Sequence, residues 1–360
     1  MIKVYYETIP DLWIVPIVFS HHKDSIAAYE TLPYRKKAFE QISGDYVERV
    51  TNPSEADYLL VPHHYGRARR VSGYLDRINQ LAREHNKKIL VFAFQDDATP
   101  INWPEAIIFR VSAYASEMLS NEFIVPYIVE DFTESYNFLP KKLANKVSVG
   151  FVGLAGFDSN KQMIRSSVKE VLRTAHSLLT RFQFLKERRK GIFVRSEMLK
   201  VIQKEKNLDA NFLIRGRYSG HADNLSPEQV KKIRDEYISN IVESDLTLSP
   251  RGEGNGSQRF YEVLSLGRIP LLIDTDNQLP FEEVIPYERF VIRIPYSERK
   301  NVGKWVSDFF ADLTQEEYEK RQEEARFYFK KYLSLNGYYS YLFVDEYVRE
   351  LDKQSLSHTE

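Results

Sequence analysis

Two arginines, Arg251 and Arg259, flank a glycine-rich stretch in the segment SPRGEGNGSQRFYEVLSLGRIPLLIDTD, Ser249 to Asp276. The guanidinium is the side chain best shaped to clamp the oxygens of a diphosphate. Between the arginines lie Gly252, Gly254 and Gly256. Three glycines in so short a run suit a loop that turns sharply or lets a ligand approach the backbone closely. Ser257 follows as a helix N-cap, so the positive helix end and its N–H groups fall at the same spot as the arginines. Glu262, three residues after Arg259, has two readings. Paired with Arg259 on a helix surface it would contribute little. At the C-terminal end of a parallel strand, its carboxylate can accept both hydroxyls of a ribose. The segment therefore reads as a site for a nucleotide-type anion.

Other anion-site patterns do not fit. No Gly-Lys-Ser/Thr follows the glycines, which argues against an ATPase or kinase loop, and no GxGxxG opens the chain. Asp274-Thr275-Asp276 has the form of a metal-binding Asp-x-Asp, but it follows the last strand of the segment and is expected to serve the strand-end loop. No metal or other cofactor is expected. The chain has no cysteine, which removes disulfides, thiolate zinc sites and cysteine nucleophiles and suits a cytoplasmic location. Arg215, in FLIRG just after a strand, is a further basic candidate for the anion site; Arg165 and Arg195 are expected to make ordinary ion pairs.

These residues need elements to hold them. Apolar strand runs occur at 3–6, 58–62, 89–94 and 106–110, and again at 147–152, 210–214, 246–249, 269–274 and 290–294. Helical spacing fills the gaps at 34–42, 67–85, 161–185, 195–204, 227–242 (N-cap Ser226) and 257–266, and from Val302 onward. Strand and helix in alternation predict an α/β fold with mostly parallel sheets. At 360 residues the chain is long for one core, and two domains are expected. The polar, proline-bearing stretch 132–146 is the linker. The expected division is an N-terminal Rossmann-like domain over 1–140, a C-terminal Rossmann-like domain over 147–300, and helices over 301–360 that pack across both.

A formal net charge of −1 leaves no global basic field for nucleic acid, so any anion site must be local. The N-terminus lacks a basic leader and reads as a first strand. No run of about 18 apolar residues predicts a membrane span. The abundant rings, 23 Tyr and 22 Phe, are expected mainly in cores, with sugar stacking as the lesser use.

The opening segment resembles the signature of exostosin-like glycosyltransferases: Pro-Arg-Gly, a glycine-containing loop, Ser-x-Arg, a Glu three residues on, then Gly-x-Ile-Pro. Two upstream stretches agree, ADYLLVPHHY at 56–65 and the Phe-x-Gly of residues 151–153 with Arg165 in the helix beyond. The resemblance covers roughly residues 50–300. It implies a GT-B architecture, two Rossmann-like domains facing a central cleft, with donor nucleotide-sugar bound by the second. It implies metal-independent sugar transfer with inversion, from a nucleoside-diphosphate sugar (a UDP-sugar is the expected donor) to a glycan or lipid-linked acceptor. By position Arg251 and Arg259 would hold the diphosphate, Ser257 would offer its cap and hydroxyl, Glu262 would hold the ribose, and Gly252, Gly254 and Gly256 would allow close backbone approach.

Inversion also requires a base for the acceptor hydroxyl. The C-terminal ends of the early strands offer His63 and His64 in VPHHYG and Asp96 and Asp97 in FAFQDDATP. Any of the four could serve; Asp97 is favoured, then His63. Two other functions share these features: a non-catalytic carbohydrate- or nucleotide-binding member of the same fold, and a nucleotide-sugar epimerase or hydrolase.

Overall fold

The computed structural model describes residues 1–22, 33–156, 164–169, 171, 172, 175, 190–215 and 225–357. The chain divides into two compact units, one of residues 1–131, 277–284 and 328–360, the other of residues 132–276 and 285–327. Each is built on its own parallel sheet, so the architecture is α/β with two Rossmann-like domains.

The first unit holds six strands: β1 (Lys3–Tyr5), β2 (Glu48–Arg49), β3 (Tyr58–Leu60), β4 (Ile89–Ala93), β5 (Ala106–Arg110) and β6 (Glu122–Ile124), in the order β2-β1-β3-β4-β5-β6. All their pairings are parallel. The central sequences YLL, ILVFA and AIIFR are buried along their whole length, as expected where both faces of a parallel sheet are covered. The helix Tyr74–His85 turns Tyr74, Ile78 and Ala82 inward, where they join Leu59, Val61, Ile89 and Val91. The helical spacing over 67–85 becomes two pieces, Tyr65–Ala68 and Tyr74–His85, because Gly73 takes a φ of 72° at the second N-cap. Phe92 and Phe109 pack on Tyr339 and Phe343 from the chain's end. Many of the rings are thus used in this core.

The second unit holds β7 (Val147–Leu154), β8 (Leu208–Arg215), β9 (Leu246–Ser249), β10 (Ile269–Asp274) and β11 (Ile292–Pro295), ordered β11-β10-β9-β7-β8. From β7 the chain adds β8 on one side, then crosses to add β9 on the other. Strand order therefore reverses between β7 and β9. In open parallel sheets the crevice beyond the carboxyl ends of such a pair is where ligands bind. Short crossovers close the layers. Ser226 caps the helix Pro227–Glu243 with a reciprocal capping box to Gln229. The helix Gln258–Ser265 returns from β9 to β10, and Gly267 ends it at a φ of 59°. Val302–Phe310 and most of Gln315–Tyr328 also belong to this unit.

Candidate functional site

The carboxyl ends of β7 and β9 build a seat for one side chain. Arg259, in the first turn of the helix Gln258–Ser265, donates from Nη2 to the Val152 carbonyl at 2.5 Å and from Nη1 to the Leu248 carbonyl at 3.4 Å. Its guanidinium lies 4.2 Å from the centroid of the Phe151 ring, a cation–π contact. Gly153 has a φ of 148°, and a Cβ there would come within 2.9 Å of Nη2. The Phe-x-Gly motif thus has a physical purpose: ring below, carbonyl beside, and no side chain in the way. Among the described residues, the buried Arg259 Nε has no hydrogen-bond partner. A buried donor left so costs about 1–3 kcal/mol, and an anionic oxygen would satisfy it.

Glu262 does not form the surface ion pair with Arg259. It is 6% exposed and accepts from the Tyr237 hydroxyl at 2.5 Å and from Gln258 Nε2 at 3.1 Å. Its ion-pair partner is Arg234, at 3.7 Å. Burial, then the adjacent Glu262 charge, pushes the Tyr237 phenol well up, so Tyr237 stays a donor. A carboxylate offers about four lone-pair sites, so Glu262 keeps acceptor capacity for hydroxyls. Tyr237 and Arg234 lie three apart on Pro227–Glu243 and so share a helix face. Sequence reasoning did not single them out; that spacing is the signal that could have found them.

The glycine loop is tied at both ends. Gly252 N–H donates to the Gly256 carbonyl at 2.7 Å. Asn255 Nδ2 donates to the Asp276 carbonyl at 2.9 Å, and Thr275 Oγ1 donates to Asn255 Oδ1 at 2.7 Å. The start of the helix Gly191–Ile202 presses on the loop from outside: a Cβ at Gly191 would lie 2.2 Å from the Gly252 carbonyl oxygen and 2.5 Å from that of Arg251. Gly191 was not anticipated. Arg195, on the same helix, holds the contact by donating to the carbonyls of Leu154 and Gly191. Arg251 is buried within the loop and Gly254 with it. Ser257 occupies the N-cap, but its hydroxyl makes no capping hydrogen bond.

Arg215 ends β8 opposite Leu154 of β7, and its Nη2 pairs with Glu236 at 2.7 Å. It stands at the same end of the sheet as the seat, already charge-matched. Arg165 is exposed. Asp274, the last residue of β10, pairs with Arg293 at 2.7 Å, and Asp276, in the loop that follows, adopts a φ of 67°. Among the described residues no group of three or more His, Asp or Glu could hold a metal ion.

In the first unit, His63 and His64 follow β3, and Asp96 and Asp97 follow its neighbour β4. His63 is fully buried. Its Nε2 accepts the Ile9 N–H at 2.8 Å and its Nδ1 donates to the Trp13 carbonyl at 3.0 Å. Burial pulls its pKa down. Both nitrogens serve the backbone, so His63 is a structural residue rather than a base. His64 caps the helix Tyr65–Ala68 by accepting the Gly66 N–H. Asp97 accepts the Thr99 N–H at 2.9 Å. Burial acts to raise its pKa, but the Thr99 hydrogen bonds and the charges of Arg110 and Arg69 outweigh it, and the net shift is downward. That makes Asp97 a weaker base, against the preference drawn from sequence. Asp96 is exposed and has the Tyr127 hydroxyl at 3.4 Å.

Residues 157–308 match the family model of the Exostosin GT47 domain. That match supports the resemblance seen in the sequence over that stretch. No curated protein matches the chain. Among solved structures, it is similar to a putative UDP-N-acetylglucosamine 2-epimerase from Listeria monocytogenes, at 10% identity and a TM-score of 0.33, covering 98% of this chain and 97% of that one. Among the described residues no helix is long and apolar enough to cross a membrane.

Proposed function

We propose that the protein is a cytoplasmic, inverting glycosyltransferase that takes a sugar from a nucleoside-diphosphate donor, a UDP-sugar by preference, and passes it to a glycan or lipid-linked acceptor. The observation that carries this reading is the Arg259 seat at the β7/β9 reversal, with buried Glu262 one turn further along the same helix.

Arg259 and Arg251 hold the diphosphate, helped by the first-turn N–H groups of the helix that Ser257 opens. Glu262, steadied by Tyr237 and Arg234, takes the ribose hydroxyls. Gly252, Gly254 and Gly256 let the donor approach the backbone, and Arg215 guards the rim of the site. In the transfer, the acceptor oxygen bonds to the anomeric carbon from the face opposite the diphosphate. The bond to the diphosphate oxygen breaks and its electron pair leaves with the diphosphate. The arginines and the helix end stabilise that growing charge without a metal. A carboxylate of the Asp96–Asp97 pair takes the acceptor proton, and Asp96 is the better candidate because Asp97 is committed to its own turn.

The test begins with a thermal-shift panel of nucleoside-diphosphate sugars, since a ligand of the folded state raises the Tm. The best donor is then offered to glycan and lipid-linked acceptors, and the product anomer is read by NMR. An inverted glycoside is expected, with formation abolished in Asp96→Asn. A retained anomer, or donor consumption that needs no acceptor, would overturn the proposal.

A further inference from the structure

The helical residues 164–169, 171, 172 and 175, in the second unit, show their sides in the reverse of the usual order. Ile164, Val168, Val171 and Leu172 are 58%, 52%, 67% and 64% exposed. At 100° per residue these four and Ala175 fall on one face of the helix. Ser166 and Ser167, off that face, are the half-buried ones. A helix serving only its own domain would bury the apolar stripe and expose the serines.

Charge identifies what covers the stripe. Arg165 and Lys169 are exposed at its border. Among the described residues of this helix the charged side chains are these two cations, with no anion beside them, in a chain whose net charge is −1. An exposed apolar face bordered by cations fits the headgroup and acyl boundary of an anionic bilayer, where the aliphatic chains enter and the cations meet lipid phosphate.

We infer that this helix docks the protein peripherally on an anionic membrane surface. The inference makes no use of the Arg259 seat, so it survives if the donor assignment fails.

The test is flotation of the full chain with vesicles of phosphatidylcholine alone and of phosphatidylcholine mixed with phosphatidylglycerol, at low and high salt. Two variants accompany it: Val168→Ser with Val171→Ser and Leu172→Ser, and Lys169→Glu. Both change exposed side chains, and circular dichroism confirms their fold. The expected result is flotation with anionic vesicles only, weakened by salt and lost in the triple variant. Lys169→Glu removes one cation and adds an anion, so it should weaken binding by at least about five-fold. Nucleoside-diphosphate binding in the triple variant should equal that of the parent, which separates membrane docking from the donor site. No flotation with anionic vesicles would overturn the inference, as would flotation that the triple variant leaves unchanged. So would a stable dimer in solution that the triple variant dissociates, since the stripe would then be covered by a second copy.

Discussion

A buried charge lies behind the loop that carries the candidate base. Arg110 is 1% exposed. It ion-pairs with Glu122 and donates to the carbonyls of Ser112 (2.8 Å), Asp97 (2.8 Å) and Thr99 (3.0 Å). Glu122 in turn accepts the N–H of Ile101 and of Leu119. Arg110→Met should leave Glu122 charged, buried and unmatched, at a cost of about 3–5 kcal/mol. Urea unfolding measures it, and a loss no larger than that of a surface substitution would contradict the network. His63 gives a pH prediction. Its pKa is lowered below 6.5 by burial, so the unfolded chain takes up the proton first as pH falls. Its contribution to stability is therefore full above 6.5 and is lost as pH drops towards the folded-state value. His63→Gln can keep one donor and one acceptor without titrating. Urea midpoints at neutral and mildly acid pH should fall less in His63→Gln than in the parent; equal falls would count against the structural role.

At the scale of elements, the site is a matter of how close backbones come. The start of Gly191–Ile202 can touch the Arg251–Gly252 backbone only because residue 191 lacks a Cβ. Gly191→Ala must push apart two pieces of main chain, and main chain cannot rotate away as a long side chain can. Nucleoside-diphosphate affinity should fall by about ten-fold or more, with far-UV circular dichroism unchanged; unaltered affinity by calorimetry would show that the contact does not shape the loop. Much of this was legible in the sequence. Strands β5, β9 and β10 ran as their apolar residues indicated, and the strand–glycine loop–helix order was plain. The two-residue β2 and the three-residue β6 were not, because strands so short have too few residues to show a pattern. Gly191 was not legible either: it matters through a partner far along the chain, Gly252. His63 was misread because one sequence position cannot reveal that Ile9 and Trp13 use both ring nitrogens.

At the scale of the whole molecule, each unit repeats one plan: a parallel sheet whose order reverses beside its first strand, with the chemistry-bearing residues beyond carboxyl ends of strands. The first unit sets Asp96 and Asp97 after β4; the second sets Arg251, Arg259 and Glu262 after β9. The central claim is that the second unit's site grips a nucleoside diphosphate through those side chains. Isothermal titration of UDP into the parent, Arg259→Ala and Glu262→Gln tests it most directly. Losing a charge-assisted hydrogen bond should weaken binding by about ten- to a hundred-fold in each variant, with the fold intact. UDP binding of equal strength in all three proteins would contradict the account.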